Sequence, residues 1–252
     1  MRYLVLGSSG QIGAALCDYH RKKGDHVETF DIVENVEEDL RIPNNSILRE
    51  KMERSDFVYF LAFDVGGSRY LKKYQKTFEF VHNNVQLMEN TFEVLRELKN
   101  PFIFASSQMS NMDYSSYGSL KRVGEWYTEL LGGLTVKLWN VYGVEKDLEK
   151  SHVITDFILK AKNEGIISMI TDGTEERQFL YSEDCCEALD AVRDNYKSLD
   201  RSKKLHISSH EWSTILNVAD EVTKNFPASV VPADCKDSVQ NSKKNEPDPY
   251  IL

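Results

Sequence analysis

Tyr3-Leu4-Val5-Leu6-Gly7-Ser8-Ser9-Gly10-Gln11-Ile12-Gly13-Ala14-Ala15-Leu16 decides the fold. An apolar run enters a glycine-bearing turn and leaves it as an amphipathic stretch, which predicts strand, tight turn and helix. Gly7 permits the turn, Gly10 lets backbone approach a pyrophosphate, and Gly13 allows the helix to pack closely on the strand. The amides that open the helix, those of Gln11 and Ile12 among them, then face the phosphates. An ordinary turn and helix cap accounts for three glycines equally well, so the following strand matters. His26-Val27-Glu28-Thr29-Phe30 is that strand, and it ends in Asp31, 18 positions beyond Gly13. A carboxylate there accepts both ribose hydroxyls and repels a 2′-phosphate, which favours NAD over NADP.

Outward from this motif, the first 143 residues alternate strand-like and helical patterns. Strands are predicted over 2–6, 26–31, 57–61, 101–105 and 134–139. Helices are predicted near 11–23, 69–75, 78–98 and 115–131. The alternation implies an α/β fold, a Rossmann-type doubly wound parallel sheet with helices on both faces. Beyond Gly143 the segments shorten, with helices near 152–164, 183–195 and 213–224. We therefore expect an NAD-binding domain over 1–143 and a small α/β substrate lobe over 144–252, with some of its segments returning to the main sheet. That lobe would sit over the carboxyl ends of the strands, where ligands of open α/β sheets bind. The stretch from Lys236 to Tyr250 is polar and Pro-bearing, and reads as extended chain.

The chemistry centres on Tyr117 and Lys121, with Ser106 and Ser107 at the end of the apolar run before them. A phenol ionises near pH ~10, but a lysine one helical turn away lies on the same face and favours the phenolate. Such a tyrosine is a general base, and a serine hydroxyl from the adjacent strand can hold the same substrate oxygen. With a hydride acceptor nearby, these residue types suit alcohol/ketone interconversion.

Composition limits the alternatives. The formal charge of −9 leaves no basic excess to neutralise a nucleic-acid backbone. Cys17, Cys185, Cys186 and Cys235 have neither metal-ligand nor disulfide spacing and read as small buried hydrophobes, reduced in a cytoplasmic protein. His20, His26, His82, His206 and His210 form no ligand pattern and are expected at surfaces or element ends, so no metal site is expected. No apolar run approaches the ~18 residues that span a membrane.

Taken in order, further motifs resemble those of the extended short-chain dehydrogenase/reductase superfamily, specifically its NAD-dependent nucleotide-sugar epimerase/dehydratase group. Besides the glycine loop and Tyr117/Lys121 they are Asp39-Leu40-Arg41, Phe57-Val58-Tyr59-Phe60-Leu61-Ala62, His82-Asn83-Asn84-Val85, Lys137-Leu138-Trp139-Asn140-Val141-Tyr142-Gly143 and Asp172-Gly173-Thr174-Glu175-Glu176-Arg177-Gln178-Phe179. The resemblance runs from residue 1 to about residue 225. It implies that Asp39 and Leu40 contact the adenine, Leu61 and Ala62 pass the cofactor, and Asn140 and Arg177 hold a nucleotide diphosphate. It also implies a homodimer built from the helices around 78–98 and 115–131, with Val85, Met88, Phe92 and Leu95 either in that interface or in the core.

The resemblance implies an epimerase that acts through a transient 4-keto sugar. Tyr117 would take the proton from a sugar hydroxyl, Lys121 would lower its pKa and hold the nicotinamide ribose, and Ser107 would bond the same oxygen. Departures from the group are informative. Gln108 and Met109 follow Ser107 where dehydratases carry an acidic pair, which lowers the rank of dehydration and decarboxylation. Ser107 and Tyr117 are only ten positions apart, which implies a more open pocket, and the chain stops soon after Pro247-Asp248-Pro249. Ala62-Phe63-Asp64-Val65-Gly66-Gly67 and Ser151-His152-Val153-Ile154 resemble segments of GDP-sugar enzymes such as GDP-mannose 3,5-epimerase and GDP-fucose synthase. They suggest a GDP-sugar contacted at Gly66 and Gly67. The second suggests His152 as an acid/base, although capping or substrate hydrogen bonding would serve equally for that residue. A 4-ketosugar reductase and a non-catalytic NAD-binding regulator remain the alternatives.

Overall fold

The computed structural model describes residues 1–203 and 205–239. In the first half of the chain it contains β1 (Arg2–Leu6), α1 (Gln11–Lys22), β2 (His26–Phe30), α2 (Ser46–Glu53), β3 (Phe57–Phe60), α3 (Ser68–Tyr74), α4 (Phe78–Leu98), β4 (Phe102–Ser107) and α5 (Ser116–Leu130). Then come β5 (Leu134–Leu138), β6 (Asn140–Tyr142), α6 (Val153–Glu164), β7 (Ile166–Ser168), β8 (Glu176–Tyr181), α7 (Ser182–Asp194), β9 (Leu205–Ile207), β10 (Trp212–Thr214), α8 (Ile215–Asn225) and β11 (Ser229–Val231).

Successive side chains of a strand point to opposite faces, and the central strands show why their apolar runs are continuous rather than alternating. Leu4, Leu6, Val58, Phe60, Phe102 and Phe104 enter one core, under α2, α4 and α5. Tyr3, Val5, Phe57, Tyr59, Ile103 and Ala105 enter the other, under α1 and α7. Burial on both faces requires both sets to be apolar, and each fully buried large side chain contributes about 1.5–3 kcal/mol.

The main sheet has the order β2-β1-β3-β4-β5-β9 and is parallel throughout. The order reverses at β1, which opens a crevice between the carboxyl ends of β1 and β3. α7 and β9 come from the C-terminal half of the chain and complete this layer, α7 packing against α1. The smaller lobe has a three-stranded sheet, β10-β8-β6, a β11-β7 pair, and its own core of Phe157, Ile167, Ile215, Val218 and Val222.

Several sequence expectations change. α2 was not anticipated, although Asn45 caps it by accepting from the Ile47 and Leu48 amides, with Leu48 and Met52 one turn apart on its buried side. His20 is fully buried and bonds Asp25 (3.1 Å) and the Tyr59 hydroxyl (3.2 Å), so it lies inside the fold and burial depresses its pKa. His206 is buried in β9, where its Nδ1 accepts from the Trp139 indole at 3.1 Å. Cys235 is exposed, unlike the other three thiols. Met88, Phe92 and Leu95 belong to the intramolecular core, which leaves only Val85 of the four named interface positions exposed. The part of the C-terminal tail beyond residue 239 lies outside the described residues.

Candidate active site

The glycine loop is held by close backbone contacts. Gly7 has φ 85°, and a Cβ on it would lie 2.7 Å from the Ala62 backbone at the end of β3. A Cβ on Gly13 would lie 2.0 Å from the Gly7 carbonyl oxygen. Gly10 differs: a Cβ there meets only the Gly7 oxygen, at an ordinary 3.4 Å, so backbone is open to an approaching group. Gly10 is the N-cap of α1, whose first turn carries no acid to oppose the positive end of the helix dipole. The Gln11 side chain turns to β6, where its amide is oriented to donate to the Val141 carbonyl (3.3 Å) and accept from the Gly143 amide (2.9 Å).

Asp31 follows β2 and faces the same cleft. The Ser9 amide donates to its Oδ2 at 2.8 Å and the Val33 amide to its Oδ1 at 2.9 Å, fixing a carboxylate where a ribose diol can reach it. Leu40, Leu61 and Ala62 form apolar wall. Asp39 lines the cleft, but Arg41 grips its carboxylate through Nε and Nη2 at 2.8–3.0 Å. Burial raises the Asp39 pKa, and Arg41 more than offsets that, leaving it below the ordinary range. The cleft holds about 550 Å³, within the ~300–1,000 Å³ typical of small-molecule sites. An open glycine cradle, an unopposed helix start and the anchored Asp31 carboxylate fit a dinucleotide.

At the other end of the cleft, β4 delivers Ser107 and α5 delivers Tyr117 and Lys121. The ten-position interval is filled by a 3₁₀ turn, Gln108–Asn111, whose Met109 amide donates to the Ser107 Oγ at 3.1 Å. Gly118 lets α5 lie against that turn, since a Cβ would come within 2.2 Å of the Met109 carbonyl. The Gln108 Oε1 is buried without a hydrogen-bond partner and lines the cleft, an acceptor suited to a ligand hydroxyl.

The structure brings Ser107, Tyr117 and Lys121 together but not as a ready-made phenolate. Burial pushes the Tyr117 phenol up to about 12, opposed by the Ser107 hydroxyl. Burial brings the Lys121 ammonium down from 10.5 to about 7, opposed by Glu125. Lys121 Nζ donates to the Ala105 carbonyl at 2.6 Å and lies 6.0 Å from the centre of the Tyr117 ring. Desolvation therefore exceeds the attraction between the pair, and a charged ligand is needed to shift the balance.

One helical turn beyond Lys121, Glu125 is buried and was missed from the sequence. It accepts from the Ser106 hydroxyl at 2.6 Å and from Arg122 at 2.8 Å, and lies 3.7 Å from the buried ammonium of Lys137 on β5. Its signal was the continuation of Tyr117 and Lys121 by another i+4 step. Ser106 is thus committed to Glu125, which leaves Ser107 as the serine beside the phenol.

The remaining site residues lie toward the smaller lobe. His152 lines the main cleft and a second cavity of about 80 Å³ that shares Gly67, Asn140 and Val141 with it. His152 is the N-cap of α6, without a side-chain cap bond. Its Nδ1 is 2.5 Å from Glu145, a partner unseen in the sequence reading. Burial raises the Glu145 pKa, but His152 more than offsets it and the carboxyl sits low. Gly66 and Gly67 have packing reasons: a Cβ on Gly67 would be 2.3 Å from the Ser151 carbonyl, and one on Gly66 2.9 Å from Tyr70. The Asn140 amide donates to the Gln178 carbonyl at 3.2 Å. Arg177 lines the second cavity, buried, with Nη2 donating to Asp237 at 2.5 Å. Among the described residues, no group of three His, Cys, Asp or Glu is placed to hold a metal, and no helix is long and apolar enough to cross a membrane.

Comparison with known proteins bears on this architecture. The NAD dependent epimerase/dehydratase family matches residues 3–208. The UDP-N-acetyl-alpha-D-glucosaminuronate decarboxylase of Bacillus cytotoxicus is 26% identical over 259 residues, covering 88% of this chain and 79% of that protein. An epimerase from Methanothermobacter thermautotrophicus superposes with a TM-score of 0.80 at 19% identity, over 93% of this chain and 80% of that one. UDP-glucuronic acid 4-epimerase from Bacillus cereus, solved with UDP-glucuronic acid and NAD, gives 0.75 at 21% identity, over 93% and 87%.

Proposed function

The chain belongs to the NAD dependent epimerase/dehydratase family and is an NAD-dependent enzyme of the extended short-chain dehydrogenase type; on that premise we propose that it epimerises a nucleotide sugar through a transient 4-keto intermediate. The carrying observation is the meeting of Ser107, Tyr117 and Lys121 in the cleft that begins at the Gly7–Gly13 loop. Backbone at Gly10, Gln11, Ile12 and Gly13 would hold the cofactor pyrophosphate, and Asp31 the ribose. NAD held there would supply the hydride acceptor and donor for the sugar carbon and a positive charge beside the phenol. Tyr117 accepts the hydroxyl proton as the ketone forms and returns it when the opposite face is reduced. Ser107 bonds that oxygen throughout, and Lys121 supports the phenolate and the nicotinamide ribose. Proton and hydride are both restored, so turnover leaves no net oxidation. Asn140 and Arg177 would hold the diphosphate.

A second reading, 4-ketosugar reduction with 3- or 5-epimerisation, draws on the His152–Glu145 pair, since a carboxylate at Nδ1 orients an imidazole for proton transfer. Guanine as the base rests on the Ala62–Gly67 and Ser151–Ile154 segments, and the packing of Gly66 and Gly67 weakens that support. The deciding experiment supplies purified protein with UDP- and GDP-sugars, without added cofactor, and identifies products by NMR. The epimerase reading expects a C4 epimer with no net NADH change. Conversion that demands stoichiometric NADH would favour the reductase, and no conversion of any sugar by NAD-loaded protein would sink both.

In the same reading the protein works in the cytoplasm, with its three buried thiols reduced. It forms a homodimer through the outer sides of α4 and α5, where Val85, Trp126 and Leu130 are exposed. Sedimentation showing only monomer at micromolar concentration would overturn the dimer.

A further inference from the structure

The segment after β11 leaves the smaller lobe and crosses to the main cleft. Its start is tied down: the Asp172 amide donates to the Cys235 carbonyl at 2.7 Å, and Lys236 Nζ bonds Asp172 and Thr174 at 2.5 and 2.7 Å. At the next residue the ties change in kind. Asp237 Oδ2 accepts from Arg177 Nη2 at 2.5 Å, and its Oδ1 accepts from the Val239 amide at 2.8 Å. Val239 is buried with the apolar core that contains Tyr117, and lines the main cleft. One carboxylate thus joins a cation of the second cavity, Arg177, to a wall residue of the first.

We propose that Asp237 is a specificity-determining residue: it occupies Arg177 as an internal anion, and a nucleotide diphosphate that takes its place frees Val239 from the wall of the main cleft. This rests on the diphosphate assignment of Arg177 made above. The Arg177 side chain is 5% exposed and that of Asp237 10%; Arg177 also donates to the Glu176 carbonyl at 2.7 Å, and Asp237 supplies the anion opposite its buried charge. Two phosphoryl groups supply the charge and the paired acceptors that a guanidinium needs. A monophosphate carries similar acceptors on its one phosphoryl group, so the discrimination depends on the second phosphoryl group being the one that reaches Arg177. With Asp237 in place the ionisable residues around the second cavity are Arg69 and Arg177 against Asp156, Glu175 and Asp237, with His152 beside them, one acid in excess. Departure of Asp237 leaves two guanidinium groups against two carboxylates before the diphosphate adds its own charge. Selection for a diphosphate thereby becomes coupled to the shape of the catalytic cleft.

The test uses NAD-loaded protein with UDP and GDP, each beside its monophosphate, and reads binding by calorimetry and hydrogen exchange by mass spectrometry. In the wild-type protein the bound diphosphate should speed exchange across 235–239, and the monophosphate should not. Asp237→Asn should bind the monophosphate about ten-fold more tightly and narrow the discrimination to match, as expected for a removed competing charge. The exchange experiment needs no variant, so it stands if Asp237→Asn folds poorly. Exchange at 235–239 that stays unchanged or slows while a diphosphate binds would overturn the proposal and leave the epimerase reading intact. Unaltered diphosphate affinity in Arg177→Gln would likewise overturn it. Failure of every nucleotide to bind the NAD-loaded enzyme would overturn the nucleotide-sugar reading as well.

Discussion

Lys121 Nζ donates to the carbonyl oxygen of Ala105 at 2.6 Å. The lysine is therefore docked on β4 rather than on the phenol four residues before it, and its buried ammonium depends on Glu125 for support. Between pH 7 and 10.5 the unfolded chain holds a proton on this side chain that the folded chain has lost. Stability should therefore rise with pH across that window by up to roughly 1.4 kcal/mol per unit. Lys121→Met should remove this rise. Urea unfolding of both proteins at pH 7 and pH 9 measures it, and equal slopes would show that Lys121 keeps its ordinary pKa.

Tyr117→Phe keeps the ring and its contact with Phe63 but removes the oxygen proposed as the acid/base group. Turnover should fall about 10²–10⁴-fold, the usual range for a lost general base. NAD retention seen by native mass spectrometry should be unchanged. A variant that turns over at the wild-type rate would remove Tyr117 from the mechanism.

Asp31 is oriented by the Ser9 and Val33 amides before any ligand arrives. Asp31→Ala should weaken NAD by roughly ten- to a hundred-fold, the worth of a hydrogen bond to a charged group. It should also raise the relative affinity for NADP by relieving repulsion of the 2′-phosphate. Competitive titration of the two cofactors provides the check. An unchanged ratio would mean that another group selects the cofactor.

Glu125 and Lys137 bury opposite charges 3.7 Å apart behind the site. Glu125→Gln leaves Lys137 charged in a place 1% exposed and should cost about 3–5 kcal/mol. Adding Lys137→Met should recover much of that loss. Chemical denaturation of the single and double variants measures the coupling, and strictly additive effects would deny it.

Much of the architecture was legible because the signals are local. Short continuous apolar runs placed the five predicted strands within a residue or two of their observed ends. β9 was missed because three residues cannot display a period, and its strand character comes from pairing with β5. α2 was missed although Asn45 announced its start. In the site, Tyr117, Lys121 and Ser107 were readable from spacing alone. Glu145, Asp237 and Val239 were not, since their partners lie on other segments. His20 was expected at a surface or an element end; it lies in the last turn of α1, and its burial could not be read because nothing within α1 reveals the Tyr59 hydroxyl on β3.

The sequence by itself determined the parallel sheet, the glycine loop and the residues, Ser107, Tyr117 and Lys121, that meet in the cleft. Glycine sterics, side-chain periodicity and helical spacing act over a few residues and can be read from the order of the chain. Only the tertiary structure decided how those residues are charged and paired. It raised Tyr117, lowered Lys121, and set Asp237 against Arg177, 60 positions away in the chain. Desolvation and ion pairing depend on which distant segments exclude water from a site, and that is a property of the folded packing.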